Sequence, residues 1–173
     1  MLVPTAIAKI LKAEGVKYLF AYPLNPIIEA AAAENIRTII VRQERTGVHM
    51  ADAYSRMTSG DEIGVFVMQH GPGAENSFGG VAQAFGESVP VLIMPAGYDR
   101  KQAHYYPNFN STLNMKHITK WAEPLTSGEE VANVMRRAFA QLRNGRPGPV
   151  LVEIPWDTCK EEADISGYVP SYK

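Results

Sequence analysis

An open three-layer α/β/α fold, with a mainly parallel sheet of about six strands between two helical layers, is what this sequence predicts. Three observations carry that expectation. Short β-branched apolar runs alternate with stretches of helical period, the connections between runs are long enough for crossover helices, and the runs are apolar throughout, as strands covered on both faces must be. The size suits one core, since 173 residues of which 46% are hydrophobic fall in the single-domain range.

The elements follow in order along the chain. Residues 5–13 (TAIAKILKA) repeat at helical spacing and stop before Gly15, a helix C-terminal signal. Residues 16–22 (VKYLFAY) are a short apolar run halted by Pro23, hence a strand. Pro26 suits the first turn of a helix over the alanine-rich residues 26–33. Residues 37–42 (RTIIVR) are too short for a helix and rich in β-branched side chains. Residues 44–57 read as a helix ending at Ser59-Gly60, and residues 63–68 (IGVFVM) as a buried strand. Gly71-Pro72-Gly73 opens a helix running to about Gly86, and residues 89–94 (VPVLIM) predict another strand.

Residues 98–114 differ from the rest. They carry Tyr105, Tyr106, Pro107 and Phe109 among polar side chains without a clear period, which predicts a long loop and a candidate functional segment. Residues 129–142 (EEVANVMRRAFAQL) predict an amphipathic helix with acidic residues in its first turn, and residues 149–154 (PVLVEI) the last strand. Residues 164–173 have little apolar content and read as a tail or the start of a linker, so the domain is expected to span residues 1–163.

Composition excludes several classes of function. Seventeen basic against 18 acidic side chains, a formal net charge of -1, give no general attraction to nucleic acid or anionic lipid. Cys159 is the only cysteine, so there is no intrachain disulfide and no CxxC pair, which fits a reducing, cytoplasmic compartment. No run approaches membrane-spanning length and no export signal precedes the first helix. His49, His70, His104 and His117 never fall at ligand spacing on one helix, so no metal site is expected within the chain. A Rossmann oxidoreductase would need GxGxxG after the first strand, where Tyr22-Pro23-Leu24-Asn25 stands instead, and a serine hydrolase would need GxSxG.

Open parallel sheets bind ligands outside the carboxyl ends of their strands. That directs attention to Pro23-Leu24-Asn25, Gln43-Glu44, Gln69 to Gly73, Gly97 to Asp99, and Trp156. Glu44 opens a helix in the context RQERTGVHMADAYSR; an acidic residue there complements the helix dipole. The second junction, GPGAEN, is either a tight turn or a place where backbone approaches a ligand.

Three segments together resemble the N-terminal pyrimidine-binding domain of thiamine diphosphate enzymes, most closely the acetolactate synthase-like family. They are Arg42-Gln43-Glu44 with residues 49–56 (HMADAYSR), residues 71–76 (GPGAEN), and residues 145–150 (GRPGPV) followed by Glu153-Ile154-Pro155. The resemblance implies that Glu44 is catalytic, hydrogen-bonding N1′ of the cofactor's aminopyrimidine and favouring the imino tautomer that takes the proton from the thiazolium C2. It implies that Pro23, Gly73 and Asn76 lie on the cofactor and that Leu24, Asn25, His70, Phe109 and Asn110 lie near a 2-keto acid substrate. Leu24 and Asn25 stand where the family has glycines, His70 where it has a small hydroxyl residue, and Asn110 where it has glutamine. The family holds Mg2+ and the diphosphate through a GDG motif in a separate domain, which this chain lacks, so that domain is expected in cis or in trans. Truncation ahead of a middle domain is the favoured explanation. FAD is a further cofactor allowed by family analogy, with no residue here pointing to it. The resemblance also implies a homodimer or tetramer, with the helix over residues 46–56 against a symmetry mate. A non-catalytic dimerising or regulatory module is the alternative from another class.

Overall fold

In a computed structural model that describes residues 1–171, six strands form one all-parallel sheet in the order β2-β1-β3-β4-β6-β5. The strands are β1 (Tyr18–Ala21), β2 (Arg37–Ile40), β3 (Gly64–Met68), β4 (Val91–Gly97), β5 (Trp121–Pro124) and β6 (Val150–Pro155). The helices are α1 (Val3–Ala13), α2 (Ile27–Ala33), α3 (Glu44–Met57), α4 (Pro72–Gly86), α5 (Ser111–Met115) and α6 (Val131–Arg143). The strand order explains the layers. Leftward steps β1 to β2 and β5 to β6 carry α2 and α6, whereas rightward steps from β2, β3 and β4 carry α3, α4 and α5, so a single hand of crossover sends the two sets to opposite faces.

The core divides accordingly. Leu19, Val65, Leu92, Val150 and Val152 pack with α1, α2 and α6, while Phe20, Phe66, Ile93 and Leu151 pack with α3, α4 and Met115 of α5. β3, β4 and β6 are buried along their whole length, which is why they read as continuous apolar runs. β2 and β5 are the edges and are only half covered.

The expected elements form, with three departures. β5 had no strand signal: it has one neighbour, only four residues, and a proline at its end. The segment expected as an aperiodic loop contains a 3-10 turn at Arg100–Gln102 and the start of α5, whose residues lack a recognisable period because the helix is only five residues long. Residues 164–171, expected as a tail, dock on the first layer. Ile165 and Tyr168 pack on the core, the Arg136 guanidinium lies 5.4 Å from the Tyr168 ring, and the backbone N–H of Ser171 donates to Glu14 at 2.9 Å. Residues 172 and 173 of that expected tail lie outside the described residues.

Candidate active site

β1 has β2 on one side and β3 on the other, so the chain reverses its direction of travel across the sheet there, and the carboxyl ends of β1 and β3 flank the crevice where open sheets take ligands. Both α3 and α4 begin at this edge. Glu44 is the first residue of α3 and only 4% exposed. Its Oε2 accepts from Asn76 Nδ2 at 3.2 Å, and among the described residues no other side-chain hydrogen bond or ion pair reaches the carboxylate. Asn76 comes from the first turn of α4, which Pro72 opens without needing an N–H partner. A neutral amide therefore holds a buried carboxylate, leaving Oε1 available.

The glycine turn before α4 is dictated by space. Gly71 has φ +56°, and a Cβ there would sit 2.7 Å from Tyr98 Oη. A Cβ at Gly73 would lie 2.6 Å from Gln69 Cγ and 3.5 Å from Glu44 Oε1. Any side chain at Gly73 would thus fill the room beside the carboxylate. The fold brings Glu44, Gly73 and Asn76 together.

His70 stands between β3 and this turn, half-buried. Its Nδ1 accepts a hydrogen bond from Trp156 Nε1 at 3.1 Å, and the Tyr98 ring lies edge-on with centroids 4.5 Å apart. Burial lowers the His70 pKa from its ordinary value. Trp156 follows β6 and is 86 residues away in sequence, so no local pattern could have announced the pair.

The remaining expected site residues divide. Pro23 and Leu24 are exposed, and with Ile28, Ile40 and Trp156 they line a cleft of about 380 Å³. Leu24 holds φ +68°, a region that disfavours side chains with a Cβ. Asn25 is different. Its amide donates to the carbonyls of Met68 at 2.9 Å and Met94 at 3.1 Å, and its Oδ1 accepts from the Ile27 N–H at 3.0 Å. Those bonds tie the β1 loop to the end of β3 and the middle of β4, so the side chain expected beside substrate faces inward.

Phe109 and Asn110 are likewise turned to structure. Phe109 packs on the second core, and Asn110 Oδ1 caps α5 by accepting from the Leu113 N–H at 2.8 Å. Asn110 also borders a separate cleft of about 260 Å³ with Tyr98, His104 and Glu153. Glu153 accepts from the Thr112 N–H at 2.9 Å and hydroxyl at 2.6 Å. Burial raises its carboxyl pKa, against the lowering effect of hydrogen bonds from Thr112 and Ser111. Among the described residues no group of three or more His, Cys, Asp or Glu could hold a metal ion, and no helix is long and apolar enough to cross a membrane.

A parallel α/β domain with two helix N-termini converging on a buried glutamate is a cofactor-binding architecture, and its sequence places it. The family model for the thiamine pyrophosphate enzyme, N-terminal TPP binding domain, matches residues 1–130, and the chain belongs to that family. Among its relatives is a probable acetolactate synthase large subunit of Methanocaldococcus jannaschii, 33% identical over 97% of this chain and 30% of the relative. An acetolactate synthase of Arthrospira platensis is 34% identical over 92% of this chain and 28% of the relative. A 2-hydroxyacyl-CoA lyase 2 of Xenopus laevis is also 34% identical, over 88% of this chain and 24% of the relative. The chain spans less than a third of the length of these curated relatives.

Proposed function

We propose that this domain forms the pyrimidine side of a thiamine diphosphate site acting on a 2-keto acid, with Glu44 as its catalytic residue. The observation that carries the proposal is the buried Glu44 carboxylate, held by one amide from Asn76 and facing space kept open by Gly73. The donor set suits a heteroaromatic ring nitrogen. A carboxyl shares a proton with such a nitrogen, Asn76 orients that carboxyl, and Gly73 lets the ring lie against backbone. When bound, the cofactor supplies a nucleophilic carbon and an electron sink for bond cleavage next to a carbonyl. Pro23 and Leu24 border the same edge, where they bound the substrate side.

The reaction class proposed is carboligation or decarboxylation of the acetolactate synthase type, with lyase chemistry allowed by the 2-hydroxyacyl-CoA lyase relative. The diphosphate and Mg2+ are assigned to a second domain, in cis or in trans, and the compartment to a reducing one such as the cytoplasm, consistent with the free Cys159. Glu44→Gln in the assembled enzyme should slow C2 proton exchange of the cofactor by at least about 100-fold. Near-normal exchange would overturn the assignment.

The second reading, a non-catalytic dimerising or regulatory module, draws on the outer surface of α3 and α4, where Met57, Phe78 and Phe85 are exposed. It also fits the proposed homodimer or tetramer. Calorimetry with thiamine diphosphate and Mg2+, with and without a diphosphate-binding domain, separates the two. Binding in the mixture supports the half-site, and binding in neither supports the module.

A further inference from the structure

The geometry points to Trp156 as a positioning residue that fixes the tautomer of His70, so that His70 offers the crevice a hydrogen-bond donor at Nε2 and takes an oxygen acceptor such as a 2-keto acid carboxylate. This rests on the reading of the crevice as a 2-keto acid site and adds what one residue there does.

The argument starts from what each ring can do. An indole N–H only donates, so the His70 Nδ1 that receives it at 3.1 Å must present a lone pair. A neutral imidazole has one proton, which must therefore sit on Nε2. An imidazolium would set N–H against N–H, and burial opposes that charged form as well. The tautomer is held because both rings are held. The Trp156 backbone N–H donates to the Gly97 carbonyl at 3.2 Å, which fixes the indole against the end of β4. Tyr98, which follows the same strand, packs against His70 with ring centroids 4.5 Å apart, and turning the imidazole over would put Cδ2 in the place of Nδ1 and forfeit the Trp156 bond.

Nε2 has a different status. Among the described residues it makes no hydrogen bond, although His70 is half-buried at the carboxyl edge beside Gly71. Here one nitrogen is committed to an indole N–H and the other has no hydrogen-bond partner among the described residues, on the edge of the sheet where Gly71 and Trp156 lie. In its neutral state the Nε2–H cannot act as a base, so the group it meets must be an acceptor. A 2-keto acid brings two such oxygens in its carboxylate and a third in its carbonyl.

The test is made by nitrogen NMR on the full chain at pH 8, with His70→Gln used to assign the signals. A scalar coupling across the Trp156 N–H to His70 Nδ1 hydrogen bond is expected in the wild type and should be lost in Trp156→Phe. Absence of that coupling in the wild type, or a dominant proton on Nδ1, overturns the tautomer. Pyruvate is the probe for the ligand. It should shift the His70 Nε2–H resonance of the wild type, and chloride at the same ionic strength should not. No shift with pyruvate, or an equal shift with chloride, overturns the donor role. Glu44→Gln should leave the Trp156–His70 coupling in place, and failure of the Glu44 assignment is visible separately as unimpaired C2 exchange in the assembled enzyme.

Discussion

The layer of α1, α2 and α6 and the layer of α3, α4 and α5 cover the same sheet, yet the first is closed with long side chains and the second with small ones. Ile7, Ile10, Leu11 and Phe139 fill the first. In the second, α4 approaches α3 through Gly80, which lies against Val48, and α3 approaches β3 through Gly47, which lies against Phe66. The buried acids differ in the same sense. Glu14, in the first layer, is paired with Arg143 and also receives Tyr168 and Ser171. Glu44 and Glu153, on the second face, have no cationic partner among the described residues and are held by Asn76 and by Thr112. A buried carboxylate with a guanidinium partner has its charge compensated inside the fold, whereas one held only by neutral donors does not. The first layer is thus closed by long side chains and a compensated charge, the second by small residues around uncompensated carboxyls.

That contrast can be broken at several points. The largest effect should come from Arg143→Met, which strands the Glu14 carboxylate; about 3–5 kcal/mol of stability should be lost in urea unfolding. A loss under about 1 kcal/mol would mean that Glu14 is not held by its charge partner. Next, Gly80→Ala would place a Cβ 3.0 Å from Val48, and overpacking of this kind costs about 1–3 kcal/mol. Thermal unfolding unchanged by that substitution would show that the small-residue seam is slack.

Glu153→Gln sharpens the comparison by pH. The folded carboxyl titrates above its unfolded value because it is buried, so its contribution to stability is present in acid and is lost as pH rises through the folded pKa. The variant lacks that titration. Urea unfolding at pH 4.5 and 7.5 should find the wild type losing ground to Glu153→Gln at the higher pH, and an opposite trend would refute burial as the cause. The smallest effect is at the rim. Leu24 holds φ +68° and is 68% exposed as a residue, so Leu24→Gly should relieve backbone strain for a gain below about 1 kcal/mol. A clear loss on calorimetry would mean that the leucine packs more than its exposure suggests.

Much of the second layer was legible beforehand. The helix over Glu44–Met57 was predicted to the residue because its period is local and its end is marked by Ser59 and Gly60. The resemblance groups Glu44, Gly73 and Asn76 on the cofactor, and the fold places the three within a few ångströms of one another. The resemblance puts Asn25, Phe109 and Asn110 near substrate, and the fold gives Asn25 and Asn110 backbone partners and packs Phe109 on the second core, because a position on the edge of the sheet does not say which way a side chain turns. β5 gave no signal because an edge strand has only one neighbour to bury it.

By itself the sequence determined the periods of the buried strands, the starts of α3 and α4, and the carboxylate that opens α3, since those depend on side chains a few residues apart. Tertiary structure alone decided that Asn25 bonds Met68 and Met94, 43 and 69 residues away, that Thr112 holds Glu153 across 41, and that Trp156 selects the His70 tautomer across 86. Hydrogen bonds of that span are set by which strand ends the sheet order makes neighbours, and sheet order is a property of the assembled layers rather than of any local stretch of chain.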